Sequence, residues 1–163
     1  MNKLFTKITA TVLVSMLGVM NVSAAALSGM SDTLSSAKVG TASNHSFVFT
    51  TPTGIAAGST TLITFPTDFV IPVGLSYTDV DINIGGAYVG SSTLGSVPSG
   101  ATVGVARIST TTLLITNGTT PISAGAAVYI RIGTNAINQT TGVNQIINTT
   151  TNGNKSIGIT GGT

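Results

Sequence analysis

The chain has no cysteine, no tryptophan and no glutamate, and its only histidine is His45. Without cysteine there is no disulfide, no thiolate nucleophile and no lipid-attachment site, so stability must come from a packed core and a hydrogen-bonded ladder. A hydrolytic triad or a zinc site needs His45 beside a nucleophile or further ligands. No Gly-x-Ser-x-Gly elbow supplies one, so His45 is expected to be structural or on the surface. General acid–base work would fall to a pair of aspartates held within reach of each other, and the expectation is that the protein is not an enzyme. Charged residues make up only 6% of the chain. No basic patch exists to release counterions from phosphates, which excludes nucleic acid as a partner.

The first residues supply what the rest lacks, a long apolar run. Lys3 and Lys7 form a basic start, Ile8 to Val19 is apolar, and Val22-Ser23-Ala24-Ala25-Ala26 offers small residues of the kind a signal peptidase reads. Residues 1–25 are therefore expected to be a signal-peptide helix, cleaved after Ala24, Ala25 or Ala26. The run is shorter than the roughly 20 residues of a membrane-spanning helix. The membrane is thus met only through this segment, before cleavage. After it, Lys38, Arg107, Arg131 and Lys155 balance Asp32, Asp68, Asp79 and Asp81, so the net charge of the whole chain misleads.

What remains is rich in Thr, Ser, Asn and Gly, with Val and Ile between turn signals. Threonine suits the solvent face of a strand because it is β-branched and still polar. The remaining residues have the size of one domain. Residues 26–40 fit an N-terminal arm or a first strand, through Met30, Leu34 and Val39. Residues 41–163 read as the domain itself.

Thr41–Pro66 (TASNHSFVFTTPTGIAAGSTTLITFP) reads as strand, Gly/Pro connection, strand, either a hairpin or a crossover between sheets. Asp68–Val73 is broken by Pro72 and belongs at an edge or bend. Thr78–Ile84 alternates, with Val80, Ile82 and Ile84 on one face and Asp79, Asp81 and Asn83 on the other, and Gly85-Gly86 follows as a turn. Thr102–Ile108 and Thr111–Thr116 form a hairpin pattern. Ala126–Ile132 places Val128, Ile130 and Ile132 on one face and Tyr129 and Arg131 on the other. Ser156–Thr160 closes the series. About eight short strands at near-regular spacing predict an all-β fold, an antiparallel β-sandwich of jelly-roll or Ig-like type.

The order of these segments, TASNHSFVFTTPTGIAAGSTTLITFP, TDVDINIGG, ATVGVARISTTTLLITNGTTPISAGAAVYIRIGTNA and GVNQIINTTTNGNKSIGI, resembles secreted surface β-proteins of uncultivated candidate-phylum bacteria such as Parcubacteria. The resemblance spans most of residues 30–160. It implies an extracellular β-sandwich module.

Asp79, Asp81 and Asn83 are the sharpest polar cluster. Oxygen ligands at this spacing suit calcium, but along a strand they stand about 6.6–6.8 Å apart per step, which favours a solvated strand face. Pairing of Asp79 with Asp68 or Asp32 across strands would keep a calcium site open, and no other cofactor is expected. Lys38 and Lys155, near the two ends of the domain, are candidates for a Lys–Asn isopeptide bond that would lock the first strand to the last.

Two functions are expected. The first is an extracellular structural or surface protein, a filament or surface-layer subunit. It would assemble with itself or other surface proteins when Leu27–Val39 or Lys155–Thr160 adds to a neighbour's sheet edge. The alternative is a monomeric adhesin-type module for carbohydrate or a cell surface, for which Tyr77, Tyr88 and Tyr129 are the aromatics to be exposed.

Overall fold

The computed structural model describes residues 25–89, 94–138 and 140–161. The expected leader, apart from Ala25, lies outside them. The described residues form an all-β fold with no α-helix, and no helix among them is long and apolar enough to cross a membrane.

Eight strands of four or more residues carry the fold. They are β1 (Ser28–Leu34), β3 (His45–Thr51), β4 (Thr60–Thr64), β5 (Val80–Ile84), β8 (Val103–Arg107), β9 (Thr112–Thr116), β10 (Ala126–Ile132) and β12 (Gly158–Gly161). Four two-residue strands supplement them: β2 (Ala42–Ser43), β6 (Ala87–Tyr88), β7 (Leu94–Gly95) and β11 (Ile146–Ile147). One five-stranded sheet runs β1-β3-β10-β5-β6 and a second runs β12-β4-β9-β8-β7, while β2 and β11 pair separately. Neighbouring long strands are all antiparallel.

Alternation along the strands builds one core. Phe47 and Phe49 of β3, Val128, Ile130 and Ile132 of β10, and Val80 and Ile82 of β5 face Ile63 of β4, Leu113 and Ile115 of β9, and Val103 and Val105 of β8 in one buried cluster. Each such side chain contributes about 1.5–3 kcal/mol by leaving water. The arrangement is consistent with a β-sandwich.

The opening stretch resolves as a crossover: β3 lies in the first sheet and β4 in the second. Its connection cannot turn back as a tight hairpin because Ile55 is bridged to Ile122, on the β9–β10 connection, in both directions. The chain between β4 and β5 forms no strand. Phe69 and Ile71 are buried there while Val70 makes a single bridge to Ile147, as the Pro72 break predicts. The β5–β6 hairpin turns on Gly85 and Gly86, both at positive φ, the pairing that a two-residue type I′ turn requires. At Gly118 the constraint is space, since a Cβ there would stand 2.3 Å from the Gly100 carbonyl oxygen.

Candidate functional site

The two terminal strands, β1 and β12, are edge strands of different sheets. Between them lies an open cleft of about 650 Å³. Met30, Asp32 and Leu34 form its β1 wall, Ile157 and Ile159 its opposite wall, and Phe47 and Phe69 reach its floor. Pairing explains the orientation. Asp32 stands opposite Phe47 and Leu34 opposite His45, both of which point into the core, so the β1 side chains on that face point the same way. On the other side, Ile159 stands opposite the buried Ile63. Both terminal strands are paired within the chain, β1 to β3 and β12 to β4, and each keeps an outer edge without a neighbour among the described residues.

The β1 edge is guarded. Its register slips between Ser28 and Ser31, and Asp32 turns a carboxylate inward, two devices that discourage edge-to-edge pairing. β12 carries neither.

Asp32 and His45 form a pair that the sequence pattern does not reveal. His45 is 0% exposed. Its Nδ1 lies 2.7 Å from Asp32 Oδ2, and its ring stacks on Phe47 and meets Phe65 and Phe69 edge-on. Among the described residues its other ring nitrogen has no hydrogen-bond partner. The contact links β1 to the core through His45.

Asp79 and Asp81 correct the expected solvated face, since each is only 1% exposed. Asp79 sits in a 3₁₀ turn (Tyr77–Asp79) before β5, where it completes a capping box with Ser76. Its Oδ1 accepts the N–H groups of Val143 (2.7 Å) and Asn144 (2.9 Å), and its Oδ2 accepts those of Ser76 (2.9 Å) and the Asn144 side chain (3.1 Å). Burial pushes this carboxyl up, but the N–H groups of Asn144, Ser76 and Val143 outweigh it and hold it below the ordinary aspartate value. Asp81 accepts the N–H groups of Ile137 and Asn138. The physical reason is the segment after β10, which returns across this end of the sheet and brings its unpaired backbone donors to the two carboxylates. Neither Asp68 nor Asp32 joins Asp79, and no group of three or more acidic or histidine residues placed to share a metal occurs among the described residues.

Lys155 meets Asp68 rather than an asparagine, with Nζ 2.6 Å from Oδ2. Thr149 and Thr151 donate to the same oxygen. Lys155 foremost, with the two threonines, holds the Asp68 carboxyl well below the usual carboxylate range. This cluster ties the segment leading into β12 to the β4–β5 connection. Lys38 is exposed and makes no ion pair among the described residues. Its carbonyl and that of Ser36 accept from the buried Asn148 side chain, which closes one end of the cleft.

Of the three tyrosines, Tyr88 and Tyr129 are 40% and 45% exposed, whereas Tyr77 packs against the core. No protein-family model matches the chain, and no curated protein matches it either.

Proposed function

We propose that the protein is a secreted, non-enzymatic structural subunit of a cell surface, a filament or surface-layer component, that assembles through its β1–β12 side. The observation that carries this is the cleft with Met30, Leu34, Ile157 and Ile159 on its walls, flanked by two sheet edges without neighbours among the described residues. An extended segment of another copy, or of a companion surface protein, adds main-chain hydrogen bonds along such an edge and places alternate apolar side chains in the cleft. Because β1 and β12 are already paired within the chain, addition to an outer edge is favoured over exchange of a terminal strand. The unguarded β12 is the better edge. Head-to-tail repetition would give an open filament.

Two further observations support the reading. The chain passes from β3 to β4, from β4 to β5 and from β9 to β10 by crossing between sheets, which suits the jelly-roll or Ig-like sandwiches common outside cells. The resemblance to secreted surface proteins of candidate-phylum bacteria points the same way.

Electron microscopy with light scattering on residues 25–163, at rising concentration, tests it. Filaments or growing oligomers are expected. They should be lost in Met30→Lys, a cleft position 52% exposed where the change leaves the thermal midpoint in place. A monomer at every concentration would overturn the proposal. The second reading, an adhesin-type binding module, is favoured by one observation, the placement of Tyr88 and Tyr129 on a single face.

A further inference from the structure

The outer face of the first sheet carries a cluster that strand addition does not use. Asn83 of β5 stands opposite Tyr88 of β6 on one side and Tyr129 of β10 on the other, and Tyr129 stands opposite Val48 of β3. The two tyrosines therefore occupy one cross-strand row with one strand between them, about 9–10 Å apart at the usual strand spacing. Arg131 projects from β10 on the same face and lies over the Tyr88 ring, 5.6 Å from its centre. With Ser46, these side chains line a shallow depression of about 440 Å³.

Three features of the depression narrow what it would hold. First, it exposes two tyrosine side chains, that of Tyr129 without a cation over its ring, on an open surface rather than in an enclosed pocket. A pyranose chair lays its axial C–H groups on such a π face, and the span suits more than one ring of a chain. Second, Asn83 accepts the Gly86 N–H through Oδ1, which fixes the amide and leaves its NH₂ for an outside acceptor. Third, the Arg131 guanidinium is not held in a direct ion pair. Arg131 makes no ion pair among the described residues. Asp81, its partner in register, gives its oxygens to Ile137 and Asn138, Asp79 is likewise engaged by backbone N–H groups, and Asp32 and Asp68 have cationic or histidine partners elsewhere. A guanidinium placed over a tyrosine at this distance keeps N–H groups for a carboxylate.

We infer that this face binds an acidic polysaccharide, one whose pyranose ring stacks on Tyr129 while a ring carboxylate pairs with Arg131 over Tyr88. The site is on the opposite side of the first sheet from the core and does not depend on assembly through β1 and β12. It would give a surface subunit a hold on a uronic-acid matrix.

Affinity electrophoresis of residues 25–163 through gels containing polygalacturonate tests this, with neutral dextran and poly-glutamate gels beside it. Retardation is expected in polygalacturonate only. Tyr129→Ala and Arg131→Gln should each weaken it about tenfold, the size of an anchor side chain's loss, while Tyr129→Phe retains it. Both positions are at the surface, and unchanged thermal midpoints verify the fold of each variant. Absence of retardation in polygalacturonate would overturn the inference. Equal retardation in poly-glutamate that survives Tyr129→Ala would overturn it too, by showing charge attraction alone. Dextran binding unaffected by Arg131→Gln would remove the acidic ligand.

Discussion

Replacing Asp79 by asparagine is a one-atom change with a large expected cost. The carboxylate accepts four N–H groups, two on each oxygen. An asparagine keeps one oxygen, which the Val143 and Asn144 backbone donors would claim. Its NH₂ would then face the Ser76 N–H and the Asn144 side-chain NH₂. Asn144 cannot rotate to relieve this, because its NH₂ also donates to the Gly74 carbonyl at 2.9 Å. Two hydrogen bonds to a charged group are lost, at about 1.5 kcal/mol or more each, and a buried donor is orphaned, so Asp79→Asn should destabilise by about 3 kcal/mol. Urea unfolding of residues 25–163, followed by far-UV circular dichroism, measures it. The effect also carries a pH signature. The folded-state pKa is depressed, so the carboxylate's contribution is fully present above the unfolded aspartate value of about 3.9 and is lost as pH falls below it. The gap between wild type and Asp79→Asn should therefore be constant from pH 7 to 5 and shrink toward pH 2. A gap under about 0.5 kcal/mol at pH 7, the size of an ordinary surface substitution, or a gap that does not shrink in acid, would refute the reasoning.

Other expectations follow from single contacts. Gly118→Ala should destabilise by about 1–3 kcal/mol, since its Cβ would meet the Gly100 and Thr102 carbonyl oxygens at 2.3 and 2.6 Å; an unchanged urea midpoint would contradict this. Asp32→Ala alone should cost about 1–3 kcal/mol by orphaning a buried histidine nitrogen. The double variant Asp32→Leu/His45→Phe, set among Phe47, Phe65 and Phe69, should recover most of the loss, because apolar replacement of a buried polar pair is often neutral; a double variant as unstable as the summed singles would contradict it. Lys155→Met should change global stability by no more than about 1 kcal/mol, as for other partly exposed pairs, yet accelerate amide exchange across residues 149–157. Unchanged exchange there would show that Asp68 does not hold this segment.

Period-two patterns were legible wherever both faces of a strand kept their ordinary roles. Ala126–Ile132 forms β10 over the residues its alternation marks, with Val128, Ile130 and Ile132 buried and Tyr129 exposed. The short Gly85-Gly86 turn announced the hairpin that sets Tyr88 beside Asn83. Alternation also placed Val80 and Ile82 correctly in the core, but it assigned Asp79 and Asp81 to water. That failure is physical. Apart from Ser76, their partners lie 56 to 65 positions later in the chain, and no local period encodes a segment that folds back over a sheet end. The cleft itself had no sequence signal, because it arises from two edges left apart rather than from any residue type.

Every carboxylate side chain on the chain is already occupied: Asp32 by His45, Asp68 by Lys155 and two threonines, Asp79 and Asp81 by backbone N–H groups. With these four set against Lys38, Arg107, Arg131 and Lys155, the described residues meet their surroundings as a hydroxyl-rich body of little net charge. Copies of it feel little mutual repulsion at long range, and dissolved salt has little to screen. Their rate of encounter should thus vary little with ionic strength, and divalent cations should find no acidic surface across which to crosslink them.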